Sequence, residues 1–98
     1  MIVAIARAEL HLPASRSLKE KRQVIKSLVD RCHHRLRVSI AETGHQDLRQ
    51  RAELGVALVH GNRGQAERIL EQIHGMFEEQ SEAQLLAWDD DYIEDFDE

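Results

Sequence analysis

Residues 2–12, IVAIARAELHL, alternate with a period of two. Ile2, Ala4, Ala6, Ala8, Leu10 and Leu12 fall on one side of an extended chain, and Val3, Ile5, Arg7, Glu9 and His11 on the other. A strand with one wholly apolar side needs a second layer of structure to bury that side, so the pattern selects a layered fold. Pro13 supplies no backbone donor and marks the strand's end.

The layer that covers it is helical. Ser17–Glu20 reads SLKE, a capping box in which the Ser17 hydroxyl accepts from the backbone at Glu20 and the Glu20 carboxylate reaches back. A helix over residues 18–35 then places Leu18, Ile25, Leu28, Val29, Cys32 and Leu36 in one buried stripe. Cys32 reads there as a small core residue. Residues 36–43 and 54–61 read as the second and third strands, the third apolar on both sides as a central strand would be. After the Gly61-Asn62 turn, residues 63–80 carry a helical stripe of Ala66, Ile69, Leu70, Ile73, Met76 and Phe77, with Gly75 as a point where the helix could break. Residues 83–88, AQLLAW, read as a fourth strand.

The order is βαββαβ. It predicts an α+β, ferredoxin-like domain over residues 1–88: a four-stranded antiparallel sheet with the first and third strands central and two helices on one face. Ninety-eight residues, 42% of them apolar, suffice for that single two-layer core. The acidic end, residues 89–98 (DDDYIEDFDE), reads as a tail, solvated or anchored by Tyr92, Ile93 and Phe96 onto the basic helix or onto a basic partner.

Charge is unevenly placed. Residues 1–64 carry 12 Lys/Arg against 6 Asp/Glu, a balance of +6, and residues 65–98 carry 1 against 12, a balance of −11, which together give the net −5. Eight of the cations lie in RSLKEKRQVIKSLVDRCHHRLR, residues 16–37. With Leu18 as origin, Lys19, Arg22 and Lys26 sit at about 100°, 40° and 80° around the helix, and His33 at about 60°. They form one stripe beside the buried face, which Arg16 could extend. Regular cations suit phosphate groups; they also suit a solvated flank whose long side chains cover the core edge. Arg49 and Arg51 are secondary candidates for the same contact.

The sheet side that the helices leave open carries Val3 and Ile5 on the first strand. It offers no aromatic residue for base stacking, and an apolar side must be hidden from water, by self-association or by a long C-terminal segment folded over it; the first makes Val3 and Ile5 a candidate homodimer face. His45, Gln46 and Asp47, in the polar stretch GHQDLRQRA, are a candidate ligand site on a loop. Two such groups make neither a metal site nor a catalytic centre, and the alternative is a structured connection in which Asp47 caps a turn. His33 and His34 diverge by about 100° on one helix and do not share an ion. No metal, cofactor or enzymatic activity is expected. One cysteine, no basic leader before the first apolar run and no apolar stretch of membrane length predict a cytoplasmic protein without a membrane partner.

The stretches ELHLPASRSLKEKRQVIKSLVDR and VSIAETGHQDLRQRAELGVALV resemble the YlxP-like family of small bacterial proteins, over about residues 1–80, with SLKEKR and GHQDLRQRA the most specific parts. The resemblance implies a ferredoxin-like fold and no assigned chemistry. Gene neighbourhoods of the family imply a link to the ribosome or RNA. It carries over no catalytic residues. The expected function is thus a non-enzymatic binding module for RNA or the ribosome, the alternative being a protein-interaction or homodimerisation module without nucleic acid.

Overall fold

The computed structural model describes residues 1–94. Its elements run β1 (Ile2–His11), α1 (Leu18–Arg35), β2 (Ser39–Gly44), β3 (Arg51–His60), α2 (Arg63–Glu79) and β4 (Gln84–Ile93). The strands form one sheet in the spatial order β2-β3-β1-β4, antiparallel at every step. This is the ferredoxin-like α+β arrangement, with the first and third strands in the middle.

The alternation in β1 sets the layers. Ala4, Ala8 and Leu10 have no exposed surface, and the small alanines let the helices approach the sheet closely. Opposite them on β3, Ala52, Leu54, Val56 and Leu58 are buried. Helix α2 lies over β1, β3 and β4 and buries Ala66, Leu70, Ile73 and Phe77, while α1 lies toward β2 and buries Ile25, Leu28 and Cys32. Helix α2 continues through Gly75 without a break.

Both helices start at capped residues. Glu20 N donates to Ser17 Oγ at 3.1 Å, and Gln65 N donates to Asn62 Oδ1 at 3.0 Å. The Glu20 carboxylate reaches back one residue further than the capping box expects, accepting from Arg16 N at 2.6 Å.

The strands differ from expectation at their ends, and β1 is the reason. All ten residues of β1 pair with β3, from Ile2 opposite His60 to His11 opposite Arg51, so β3 begins at Arg51 rather than at Leu54. On the other side β1 pairs with β4 from His11 opposite Gln84 to Val3 opposite Ile93. The register shifts between Glu9 and Leu10, which leaves Leu86 as the extra residue, half exposed.

The acidic tail expected from residue 89 is therefore strand as far as Ile93. Two sets of cations hold it there. Arg7 on β1 lies 3.2 Å from Asp89. On α2, Arg63 contacts Glu94 and Glu67, each at 2.8 Å, and its guanidinium sits 4.6 Å from the centre of the Tyr92 ring. Trp88 faces the helices, with its ring stacked on His74 at 4.5 Å and edge-on to Phe77 at 5.9 Å. The alternative of docking onto Lys19, Arg22 and Lys26 does not hold for residues 89–94, because β4 forms the sheet edge opposite β2, toward which α1 lies. Phe96 lies outside the described residues.

Candidate functional site

Of the cations of α1, Lys21 alone is fully buried. Its ammonium donates to the backbone carbonyls of His45 at 2.8 Å, Arg51 at 3.1 Å and Gln46 at 3.3 Å. The carboxylate of Glu42, on the helix-facing side of β2, lies 2.8 Å away. Four acceptors thus surround three protons. Glu42 Oε2 has no aligned hydrogen bond of its own, so its contact with Lys21 is ionic in character.

Lys21 ties the loop of residues 45–50 to the first turns of α1. A second set of bonds ties the same loop to the β1–α1 connection: Leu12 N donates to Gln50 O at 2.8 Å, and the Gln50 side-chain amide donates to Ser15 O at 3.2 Å and Pro13 O at 3.3 Å. His45 takes a left-handed backbone conformation, φ 57°, which is uncommon outside glycine and turns the chain so that its carbonyl meets the ammonium.

Sequence reasoning passed over Lys21, although its position held the signal. On the same wheel it falls at about 300°, between Leu28 at about 280° and Cys32 at about 320°. A lysine in the centre of an apolar stripe needs a buried counter-charge, and Glu42 supplies it.

The residues singled out for phosphate contact separate in space. Lys19 and Arg22 are exposed and have no acidic partner among the described residues. Arg49 is exposed on the tethered loop, also without one. Lys26 is exposed and lies 2.7 Å from Asp30, one helical turn on; that hydrogen bond and charge hold the Lys26 ammonium above its ordinary pKa. Arg51 belongs elsewhere. It lies on β3, and its side chain lies 3.5 Å from Glu9 on the open side of the sheet.

The loop trio is mostly committed to internal contacts. The His45 ring lies 3.1 Å from Glu9, and the Gln46 amide donates to Glu42 O at 3.1 Å. Asp47 is exposed. The turn there is closed by the backbone, Leu48 N donating to His45 O at 3.0 Å, and not by an Asp47 cap. Among the described residues no three His, Cys, Asp or Glu side chains stand close enough to hold one metal ion.

The open side of the sheet divides in two. At one end Arg7 meets Glu53 at 3.5 Å and Asp89 at 3.2 Å, and Glu9 meets His45 and Arg51. At the other end Val59, Val3 and Ile93 form one cross-strand row with Ile5 beside it; Val59 is 65% exposed, Ile93 46% and Ile5 40%, while Val3 is half-buried.

A family model described as a protein of unknown function (DUF503) matches residues 3–90. The chain belongs to the DUF503 family. The match takes in α1, Glu42, the tethered loop and β4 as far as Asp90. The DUF503 chain is also similar to a protein of Bacillus subtilis (strain 168) described as "Uncharacterized protein YlxP", with 38% identity over 72 residues that span 74% of this chain and 78% of the relative. No helix among the described residues is long and apolar enough to cross a membrane.

Proposed function

We propose that this protein is a non-enzymatic, cytoplasmic binding module that holds RNA, free or on the ribosome, by its phosphates. The contact surface is the outer flank of α1, with Lys19 and Arg22 at its centre, Lys26 beside them and Arg49 presented by the tethered loop. The observation that carries this reading is the exposure of Lys19, Arg22 and Arg49 with no acidic partner among the described residues. Lys26 adds to it because its pair with Asp30 is exposed on both sides, and such pairs are readily exchanged for another anion. Several acids of the second half support it too: Asp89, Asp91, Glu67, Glu71 and Glu78 lie on β4 and α2 and do not line the groove that Lys26 shares with Glu79.

The test is RNA binding and ribosome co-sedimentation as a function of salt. Each phosphate contact with a single strand contributes about 0.7 to the slope of log K against log salt, so Lys19→Ala/Arg22→Ala/Lys26→Ala should flatten that slope by about 2. Base preference should be slight. An unchanged slope, or intact ribosome co-sedimentation in the triple variant, overturns the assignment.

A second reading rests on Val59, Ile93, Ile5 and Val3. A patch of this kind on the uncovered sheet face suits a homodimer interface without any role for nucleic acid. Light scattering of Val3→Lys/Ile5→Lys decides it: the reading requires a dimer in the unaltered protein and a monomer in the variant.

A further inference from the structure

The helix layer carries a concavity that the RNA reading touches only at Lys26. It lies between α1 and α2, encloses about 850 Å³, and is open to solvent. Its α1 wall presents Lys26, Asp30, Arg31, His34 and Arg35, with Ser27 and Gln23 further along, and α2 contributes Glu79. Leu28 and Met76 contribute apolar surface, Met76 from α2. The volume falls in the range of about 300–1,000 Å³ usual for small-ligand sites.

The charge of this wall is not spent. Arg31 and Arg35 are one helical turn apart, so both guanidinium groups address the same opening. Neither has an acidic partner among the described residues; Arg31 Nε alone donates, to Ser27 O at 3.4 Å, which leaves its terminal nitrogens free. These cations do not cap the end of α1 either, because Leu36 N already donates to Cys32 O at 2.8 Å and Arg35 makes no bond to a carbonyl of the last turn. Two acids line the same groove, Asp30, which pairs with Lys26 at 2.7 Å, and Glu79 on α2; against Lys26, Arg31 and Arg35 they leave a balance of 3 − 2 = +1. Two forked cations beside a thioether, with Ser27 and Gln23 one and two turns before Arg31 able to hydrogen-bond, match one phosphate joined to a flat, partly apolar ring.

We propose that the α1–α2 groove binds a single nucleotide, with its phosphate on Arg31 and Arg35 and its base against Met76. As a nucleotide within a longer chain, it would extend the RNA reading above and rest on it; as a free nucleotide, it stands without that reading. The groove differs from the outer flank in being concave, so it can enclose a base that the flank can only pass.

Calorimetry separates these cases. The probes are adenosine monophosphate, adenosine, inorganic phosphate and a short single-stranded oligoribonucleotide, tested on the full chain, on Arg31→Ala/Arg35→Ala and on Lys19→Ala/Arg22→Ala. All four substituted side chains are exposed, so the fold is not at risk. Adenosine monophosphate should bind about tenfold or more tightly than either adenosine or phosphate, and the groove variant should lose about tenfold or more of that affinity while the flank variant keeps it. Equal binding of phosphate and adenosine monophosphate, or an unchanged groove variant, overturns the proposal. If the oligonucleotide binds and only the flank variant weakens it, while adenosine monophosphate does not bind through the groove, the groove is wrong and the RNA reading stands. If adenosine monophosphate binds through the groove and the oligonucleotide does not bind, the groove stands and the RNA reading falls.

Discussion

Lys19 and Lys21 are two residues apart on one helix, and their surroundings are opposite. The Lys19 ammonium is in water with no acidic partner among the described residues; the Lys21 ammonium has no exposed surface and four oxygen neighbours. The difference of about 160° in helical angle decides which charge is free to meet a ligand and which is spent on holding the protein together. A basic segment should therefore not be counted as a single electrostatic patch. The flank of α1 is a surface, and the ground beneath α1 is a joint that sets where the loop carrying Arg49 stands.

Removing the joint should give the largest effect. Lys21→Met leaves Glu42 facing a buried methyl group and takes the ammonium donor from the carbonyls of His45, Gln46 and Arg51, of which His45 O keeps its bond from Leu48 N. Loss of one partner from a buried pair costs about 3–5 kcal/mol. Urea unfolding followed by circular dichroism should show that loss, and amide exchange should show the loop of residues 45–50 freed from protection. A loss well under that range would mean that water replaces the ammonium and the joint is wet.

Glu42→Gln is the milder cut at the same place. The amide keeps an oxygen for Lys21 and loses the charge, so the expected cost is about 1–3 kcal/mol, the scale of a buried hydrogen-bonding group left poorly matched. If Glu42→Gln proved as damaging as Lys21→Met, the pair charge would dominate and the three carbonyls would count for little.

How far the sequence speaks follows the same division. The ferredoxin-like order was legible because it rests on periodicity: two in β1, about 3.6 in the helices. The strand ends were not, because they depend on a partner. Read alone, DDDYI looks like solvated tail; opposite Val3–Arg7 it is ladder, since Arg7 meets Asp89 and Val3 meets Ile93. Arg51 misled in the same way, looking like loop and standing opposite His11 in β3. At the candidate site, the exposed stripe of Lys19, Arg22 and Lys26 could be read from angles, and so could the burial of Lys21. What could not be read was its counter-ion. Glu42 is brought to it by β2 pairing with β3, a contact that no local pattern announces.

Alkaline pH acts in one direction on two groups, Cys32 and Tyr92. Burial pushes the Cys32 thiol above its ordinary 9.0, with Arg31 opposing weakly. In the unfolded chain the thiol loses its proton first, so the unfolded state gains and stability falls as pH rises beyond about 9. Burial and nearby acids raise Tyr92 from 10.0, and its contribution falls in the same direction at higher pH. The difference in urea midpoint between the unaltered protein and Cys32→Ala should therefore narrow between pH 8 and pH 10. A flat difference would place Cys32 in a wetter setting than its burial indicates.

The smallest expected effect is the sharpest test of the comparison. Lys19→Ala/Arg22→Ala/Lys26→Ala removes three charges from α1, three times as many as Lys21→Met removes. Yet these side chains are in solvent, and among the described residues only Lys26 has an acidic neighbour, in an exposed pair that screening weakens. Alanine is also the better helix former at each position. The urea midpoint near neutral pH should not move measurably, while the salt dependence of RNA binding changes. If the triple variant unfolded early, the three cations would be part of the fold's own electrostatics, balancing the acids of α2 and β4 across the molecule. The flank would then be a second joint, and its claim to an external phosphate would lapse.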